Sequence, residues 1–255
     1  MAESDGHARV VSKGVQEGRA PMEITKKELP LARSMCWHCQ SDIGGEYFCN
    51  QCVKVQPLSK DMDYFTCFGL PRKLNIDTAR LETKFYELSR VFHPDFFEGK
   101  SEMERAVSLA NSAILNQAYR TLKDPLQRVE YLLRLEAGAA KDIPGKAPAD
   151  LFEAILEMQE HLEAFHAATA ENDAKTLARA GELLRGARKT LEAKRAALEN
   201  RLAELFQIWD KLVEKPPHDQ TQTATKERTL KEMRDLLSER SYVMNMLQNL
   251  NEVLA

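Results

Sequence analysis

The sequence predicts an all-α protein: a helical hairpin, then a three-helix C-terminal bundle, with a small cysteine-bearing module ahead of both. Three observations carry that prediction. The 255 residues include only 11 Gly and 10 Pro, and long Leu/Ala/Glu/Lys/Arg tracts give a helix-forming composition. Leu81, Phe85, Leu88 and Phe92 recur at helical spacing and make one apolar stripe. Leu177, Leu184, Leu191, Leu198, Leu205 and Leu212 fall on a strict seven-residue repeat, the pattern of a coiled-coil-like seam.

Composition also excludes several classes. Hydrophobic content of 43% and charged content of 29% suit a soluble helical protein. No run reaches the roughly 18 apolar residues of a membrane span. A net charge of −3 gives no global cationic field of the kind nucleic-acid binders carry. Residues 1–34 show no sustained period and read as a disordered segment. They lack the apolar stretch of a signal peptide, and Glu3, Asp5 and Glu17 argue against an Arg-rich, acid-poor presequence. A reducing cytoplasm is therefore the expected compartment, with the mitochondrial matrix as the alternative.

Four of the five cysteines form two CxxC pairs within residues 35–56, Cys36/Cys39 and Cys49/Cys52. In a reducing compartment such pairs read as metal ligands rather than disulfides. Each pair can make a tight knuckle, and four thiolates give a closed, tetrahedral, structural site for one zinc ion, a zinc-ribbon-like module. A rubredoxin-type iron centre would use the same ligands. His38 could replace a cysteine, but it reads as an exposed spacer. Asp42, Gly44 and Gly45 supply the turn between knuckles. So few residues surround the site that the metal is expected to hold it folded.

Val53 to Asp61 reads as a short linker. A short helix is expected over Tyr64 to Phe68, with Cys67 as a small core residue. A second helix runs from an Asp77 N-cap to Phe92. It ends there because Pro94 disfavours helical geometry at His93 and has no amide to donate. Ser101 and Glu104 form a capping-box pattern opening a third helix to Leu122. Met103, Ala106, Ala110, Ala113, Ile114 and Tyr119 are expected to pack it on the second. The hairpin thus presents His93-Pro94-Asp95 at its tip. Asp124-Pro125 opens a fourth helix to about Leu135, whose Leu126, Val129, Leu132 and Leu133 make a docking face toward the C-terminal part of the chain.

Ala137 to Pro148 contains two Gly and two Pro and reads as a linker. Asp150 and Glu153 are a second capping-box candidate. The helix they open has two stripes: Leu151, Ile155, Met158 and Leu162, and Phe152, Leu156 and Gln159. A helix apolar on two faces either sits deep in a bundle or offers one face to a partner. The leucine repeat then runs to about Glu214, anchored by Phe206 and Trp209. Its companion positions are mixed (Ala180, Ala187, Lys194, Arg201, Ile208), which favours a stripe inside an intramolecular bundle; a homodimer stays open. Lys215 to Thr225 reads as a loop and Lys226 to Leu254 as the last helix.

His-Pro-Asp by itself is a weak signal, but its context is specific. Asp63-Tyr64-Phe65-x-x-Phe68-Gly69-Leu70-Pro71 lies upstream and Asn116-Gln117-Ala118-Tyr119-Arg120-Thr121-Leu122-x-Asp124-Pro125 downstream. The arrangement resembles a J-domain, here over residues 62–136. Its flavour, DYFTxFGLP followed by NQAYRTLKDPLQRVEYLL, is similar to the HscB family, whose mitochondrial version is called Hsc-twenty. Some members carry a comparable tetracysteine module.

The resemblance implies a co-chaperone of iron–sulfur cluster assembly, not an enzyme. No nucleophile, oxyanion site or phosphate loop stands near His93 and Asp95. The implied partners are a DnaK/HscA-type heat-shock ATPase and an IscU-type cluster scaffold, with no nucleic acid and no membrane. Chaperone contacts would come from His93, Pro94 and Asp95 and a basic face of Arg80, Lys84 and Arg90, diluted by Glu82 and Glu87. The bundle, residues 149–255, would hold the scaffold through Phe152, Glu153, Leu156, Glu157, Glu160 and Tyr242. A general J-protein for unfolded clients is the alternative. The order of contacts would be capture by the bundle, then docking of the tip on the ATP-bound chaperone.

Overall fold

The computed structural model describes residues 35–44, 46–137, 152–214 and 220–254. The N-terminal segment, the linker after Ala137, Asp150, Leu151 and Lys215-Pro216-Pro217 lie outside them. The described residues include seven α-helices: α1 (Tyr64–Cys67), α2 (Thr78–Phe92), α3 (Glu102–Lys123), α4 (Pro125–Ala137), α5 (Phe152–Ala170), α6 (Ala174–Glu214) and α7 (Gln220–Leu254).

The first amides of a helix have no intrahelical acceptor, and local side chains supply one. Asp63 accepts from the Phe65 amide at 2.9 Å and so opens α1. Asp77 accepts from Ala79 and Arg80 at 3.0 Å each and opens α2. Ser101 and Glu104 form the expected capping box at α3. Asp124 accepts from Leu126 and Gln127 ahead of α4. Between α5 and α6 the chain reverses through Asn172, in the left-handed region at φ 55°, and Asp173 caps α6.

Helices α2 and α3 form the hairpin. Leu81 and Phe92 are fully buried, and Phe85 stacks on Tyr119 with ring centroids 4.2 Å apart. The face of α3 differs from expectation. Met103, Ala106, Ala110 and Ala113 are exposed, whereas Glu104, Val107, Ser108, Asn111, Leu115, Ala118 and Leu122 are buried. The burial of Ser108 and Asn111 has a physical reason: the last carbonyl of α2 and the irregular backbone at Gln56 and Leu58 need partners. Ser108 and Ser112 donate to the Phe92 carbonyl, at 2.8 Å each. Asn111 bridges the Gln56 carbonyl and the Leu58 amide, both at 2.9 Å.

That bridge corrects the reading of Val53 to Asp61 as a linker. Val55, Gln56, Leu58 and Met62 are buried, and Val55, Leu58 and Met62 share one core with Phe65, Leu81, Phe92 and Leu122. The same core continues into the long helices through Leu202, Leu205, Phe206, Trp209, Met233 and Leu237. Val129, Leu132 and Leu133 of α4 complete the contact, as the docking-face reading expects.

Helix α6, 41 residues and about 60 Å long at 1.5 Å per residue, therefore serves two cores. Its C-terminal part packs under the hairpin. Its N-terminal part joins α5 and the end of α7 around Met158, Leu184, Leu191, Leu198, Val243, Met246, Leu247 and Leu250. The leucine repeat faces inward, with Leu184, Leu191, Leu198 and Leu205 buried and the end residues Leu177 and Leu212 half-buried. Helix α7 begins earlier than expected, at Gln220 rather than Lys226. Past Pro217 no Pro or Gly interrupts the chain, so the polar Thr/Gln tract extends the helix as a solvated first turn.

Polar contacts lock the hairpin to the bundle. Asp210 accepts from the Leu74 amide at 2.6 Å and from the Asn75 amide and side chain at 2.9 Å. Trp209 Nε1 donates to the Arg72 carbonyl at 2.8 Å. Lys226 pairs with Glu136 at 2.7 Å and lies over the Trp209 ring. Buried Arg128 donates to the carbonyls of Leu122, Lys123 and Leu74, covering the open end of α3 with a cation.

Candidate functional site

Three sites were legible in the sequence, and each has a defined setting. At the hairpin tip, His93 leaves α2 with extended geometry, φ −62° and ψ 127°, and Pro94 opens a 3-10 turn over Pro94–Phe97. The Asp95 amide donates to His93 Nδ1 at 3.4 Å, and the Asp95 carboxylate lies 3.5 Å from the same nitrogen. Both side chains remain open to solvent, 52% and 75% exposed. Phe97 is buried and Phe96 exposed, so the turn is anchored on one side and free on the other. The two hydroxyls on the Phe92 carbonyl fix the residue just before the tip. Arg80 and Arg90 are exposed on α2, and Lys84 pairs with Glu87 at 2.7 Å. Glu82 accepts from the Tyr119 hydroxyl at 2.8 Å. The acidic residues that dilute the basic face are thus themselves engaged.

On α5, Ile155, Met158 and Leu162 turn to the bundle core. Phe152 and Leu156 do not: they are 61% and 45% exposed. Glu153, Glu157 and Glu160 are exposed beside them. One turn of helix therefore offers two apolar side chains rimmed by carboxylates. Tyr242, on α7, is half-buried against the same core that Ile155 and Leu162 border. Its neighbour in the chain, Arg240, pairs with Glu199 at 2.8 Å. A cleft of about 600 Å³ between α5 and α6 was not foreseen. Glu157, Met158, His161, Arg179 and Leu183 line it, and nothing in the local pattern of either helix signals it.

The four cysteines come together as their spacing predicts. The two knuckles repeat one geometry. The Gln40 amide donates to the Cys36 carbonyl and the Val53 amide to the Cys49 carbonyl, at 3.1 and 2.8 Å. Cys36 and Cys49 donate their own amides to the Ser41 and Lys54 carbonyls, at 2.8 and 2.9 Å. The residue after each pair, Gln40 or Val53, takes a positive φ near 60°. Cys36 Sγ lies 3.6 Å from Cys52 Sγ, Cys39 Sγ lies 3.5 Å from Cys49 Sγ, and all four sulfurs fall within 4.8 Å of one another. A tetrahedral ion with bonds of about 2.3 Å needs sulfur–sulfur edges of about 3.8 Å, so the set fits such an ion with little adjustment. Amides of His38 and Gln51 point at Cys36 and Cys49 Sγ, at 3.3 and 3.4 Å. His38 itself is exposed.

The thiols are not equivalent. Burial pushes Cys36 up, but the Cys39 and His38 amides and neighbouring thiols outweigh it, and its pKa lies below the ordinary value. A hydrogen bond with the Ser41 hydroxyl, then the Cys52 amide, brings Cys49 down to about 6. Burial drives Cys52 up to about 12. Cys67 stands apart in the main core, where burial raises its thiol to about 12, as befits an inert packing residue.

Comparison with known proteins places this geometry. No family model matches the chain. A mouse protein named iron-sulfur cluster co-chaperone protein HscB is 36% identical over 135 residues, half of this chain and 56% of the relative. Co-chaperone protein HscB of Proteus mirabilis is 45% identical over 75 residues, 29% of this chain and 43% of the relative. An Arabidopsis thaliana homologue of the co-chaperone is 31% identical over 141 residues, 55% of this chain and 56% of the relative. The crystal structure of human HscB covers 86% of this chain and 97% of its own, with a TM-score of 0.56 at 23% identity. In sequence and fold the chain is HscB-like. HscB from Vibrio cholerae agrees, with a TM-score of 0.50 at 26% identity over 75% of this chain and 97% of its own. The chain spans about half the length of the curated relatives it matches.

Proposed function

We propose that the protein is a co-chaperone that stimulates the ATPase of a DnaK/HscA-type chaperone and delivers an IscU-type iron–sulfur scaffold to it. The observation that carries this reading is the exposed His93-Pro94-Asp95 tip, held by Ser108 and Ser112 at the end of a hairpin. His93 and Asp95 act as interface contacts, with Arg80, Lys84 and Arg90 offering positive charge along α2. The residues of J-domain type span 62–136. They are joined to the scaffold-binding bundle by a packed core and by Asp210 and Trp209. A scaffold held on Phe152, Leu156 and the carboxylates of Glu153, Glu157 and Glu160, with Tyr242 on α7 as a further contact, is then presented at a set distance from the tip. Linking the two sites raises the effective concentration of scaffold at the chaperone without any new contact. The protein supplies binding and orientation; the chaperone carries out the hydrolysis.

The four thiolates hold a structural zinc ion on this reading, supported by the sulfur spacing and the closed coordination they offer. A colourless protein containing one equivalent of zinc fits it; thiolate-to-iron absorption bands would contradict it. A reducing compartment, cytoplasm or mitochondrial matrix, suits the free thiols. No helix among the described residues is long and apolar enough to cross a membrane.

The test is single-turnover ATP hydrolysis by a DnaK-type chaperone with this protein added. His93→Gln should abolish the stimulation and leave helicity and melting unchanged, because the side chain stands at a solvent-facing tip. Full stimulation by the variant would remove the J-domain reading.

A further inference from the structure

The segment that carries the second cysteine pair does not stop at the metal. Three of its contacts land on the frame of the His93 tip. The Tyr47 ring meets Phe92 edge-on, with centroids 5.2 Å apart, and Phe92 directly precedes His93. Lys54 Nζ pairs with Glu104 at 2.8 Å. Glu104 is the capping partner of Ser101 at the start of α3, accepting from its amide and hydroxyl at 3.2 and 2.7 Å. Gln56 and Leu58 bind Asn111 of α3 through their backbone.

The other end of this segment is tied to the cysteines. Gln56 Nε2 donates to Cys36 Sγ at 3.4 Å and to the Lys54 carbonyl at 2.6 Å. Trp37, between Cys36 and Cys39, donates its indole N–H to the Val55 carbonyl at 2.6 Å. Gln56 is fully buried, so its side chain has few other places to satisfy itself. The segment therefore runs from the thiolates at one end to both helix ends that bracket the tip.

We propose that Tyr47, Lys54 and Gln56 are positioning residues for His93-Pro94-Asp95, and that metal held by the four cysteines keeps them in place. With metal bound, the knuckles fix Gln56 and Trp37. Segment 47–58 then braces Phe92 and the first turns of α3, and the tip keeps one geometry. Without metal, the knuckles lose the bonds that close them and the brace slackens. The tip loosens while the bundle core around Leu184, Leu191 and Leu198, which contains no residue of the module, stays packed. The consequence for chaperone stimulation rests on the reading under Proposed function; the structural coupling does not.

Hydrogen exchange on the full chain tests the coupling. The zinc-loaded protein is compared with protein stripped by a chelator under reducing conditions. Exchange should rise by about tenfold or more at amides 36–56 and also at 92–104, with amides 184–198 unchanged. Loss of protection confined to 36–56 overturns the proposal, and so does an equal loss along the whole chain. A second arm keeps the metal and uses Lys54, whose side chain is partly exposed. Lys54→Met should speed exchange at 101–105 and lower chaperone stimulation, and Lys54→Arg should restore both. Exchange in Lys54→Met equal to wild type refutes the bracing role of that residue. If exchange behaves as expected while His93→Gln still stimulates, the coupling stands and the chaperone reading fails.

Discussion

Replacing Phe152 and Leu156 together by alanine separates a docking surface from a core. Phe152 is 61% exposed and Leu156 45%. Taking a phenylalanine as offering roughly 200 Å² in full, Phe152 leaves about 120 Å² open to a partner, worth about 3 kcal/mol at about 25 cal/mol per Å² if fully covered. Leu156 adds about 1 kcal/mol, a little under half of the roughly 2 kcal/mol for burying a whole leucine side chain. Alanine retains part of each side chain and a partner covers them incompletely, so about half of that sum, ~2 kcal/mol, is the expected loss of binding. That corresponds to roughly a 30-fold weaker scaffold complex. The inward stripe of Ile155, Met158 and Leu162 is untouched, so the melting temperature should stay within about 2 °C. Isothermal calorimetry against the scaffold, paired with thermal melting, reads both numbers. Unchanged affinity would refute the assignment of this face. A drop of many degrees would show that both side chains pack in the bundle.

Further expectations concern the joints. Asp210→Ala removes the acceptor for two backbone amides and the Asn75 side chain. Because the Leu74 amide is partly buried, the cost should be about 2 kcal/mol, read as a shifted urea midpoint; a midpoint equal to wild type would show that the contact carries no weight. Glu104 gives a pH dependence with a definite sign. Burial raises its pKa, but Lys54 and Ser101 outweigh burial and hold the carboxyl below the usual value. Its contribution to stability is therefore complete above the unfolded-state pKa of about 4.3, and is lost as pH falls through the lower folded value. Denaturation midpoints followed from neutral pH down to about 3 should show this limb, and Lys54→Met should flatten it. A limb unaltered by that substitution would exclude the pair as its source.

The parts of the fold that local chemistry dictates could be read from the sequence. Asp77, Ser101 and Asp124 cap the helices at the expected places, because a cap is decided within about four residues. The cysteine cluster was legible from spacing; helical period showed two apolar stripes on α5, and the resemblance to the HscB family picked Phe152 and Leu156 as the outward one. What could not be read depends on distant partners. Asn111 and Ser108 look like surface residues of α3 until Gln56, Leu58 and Phe92 present backbone groups that need them. Gln56 looks like part of a linker because its thiolate and helix partners lie 20 and 55 residues away. Arg128 reads as a solvated helix residue, yet it is buried under the end of α3. Asp210 gives no local signal, since its acceptor role depends on a loop 135 residues upstream.

The measurement that bears most directly on tethering is chaperone ATP hydrolysis in single turnover, with the full chain at limiting concentration and the scaffold absent or present. Tethering predicts that the scaffold strengthens stimulation by the wild type. It also predicts that Phe152→Ala/Leu156→Ala keeps the scaffold-free rate but loses that gain. A wild-type rate indifferent to scaffold, or an equal gain in the double variant, would contradict delivery through this face of α5.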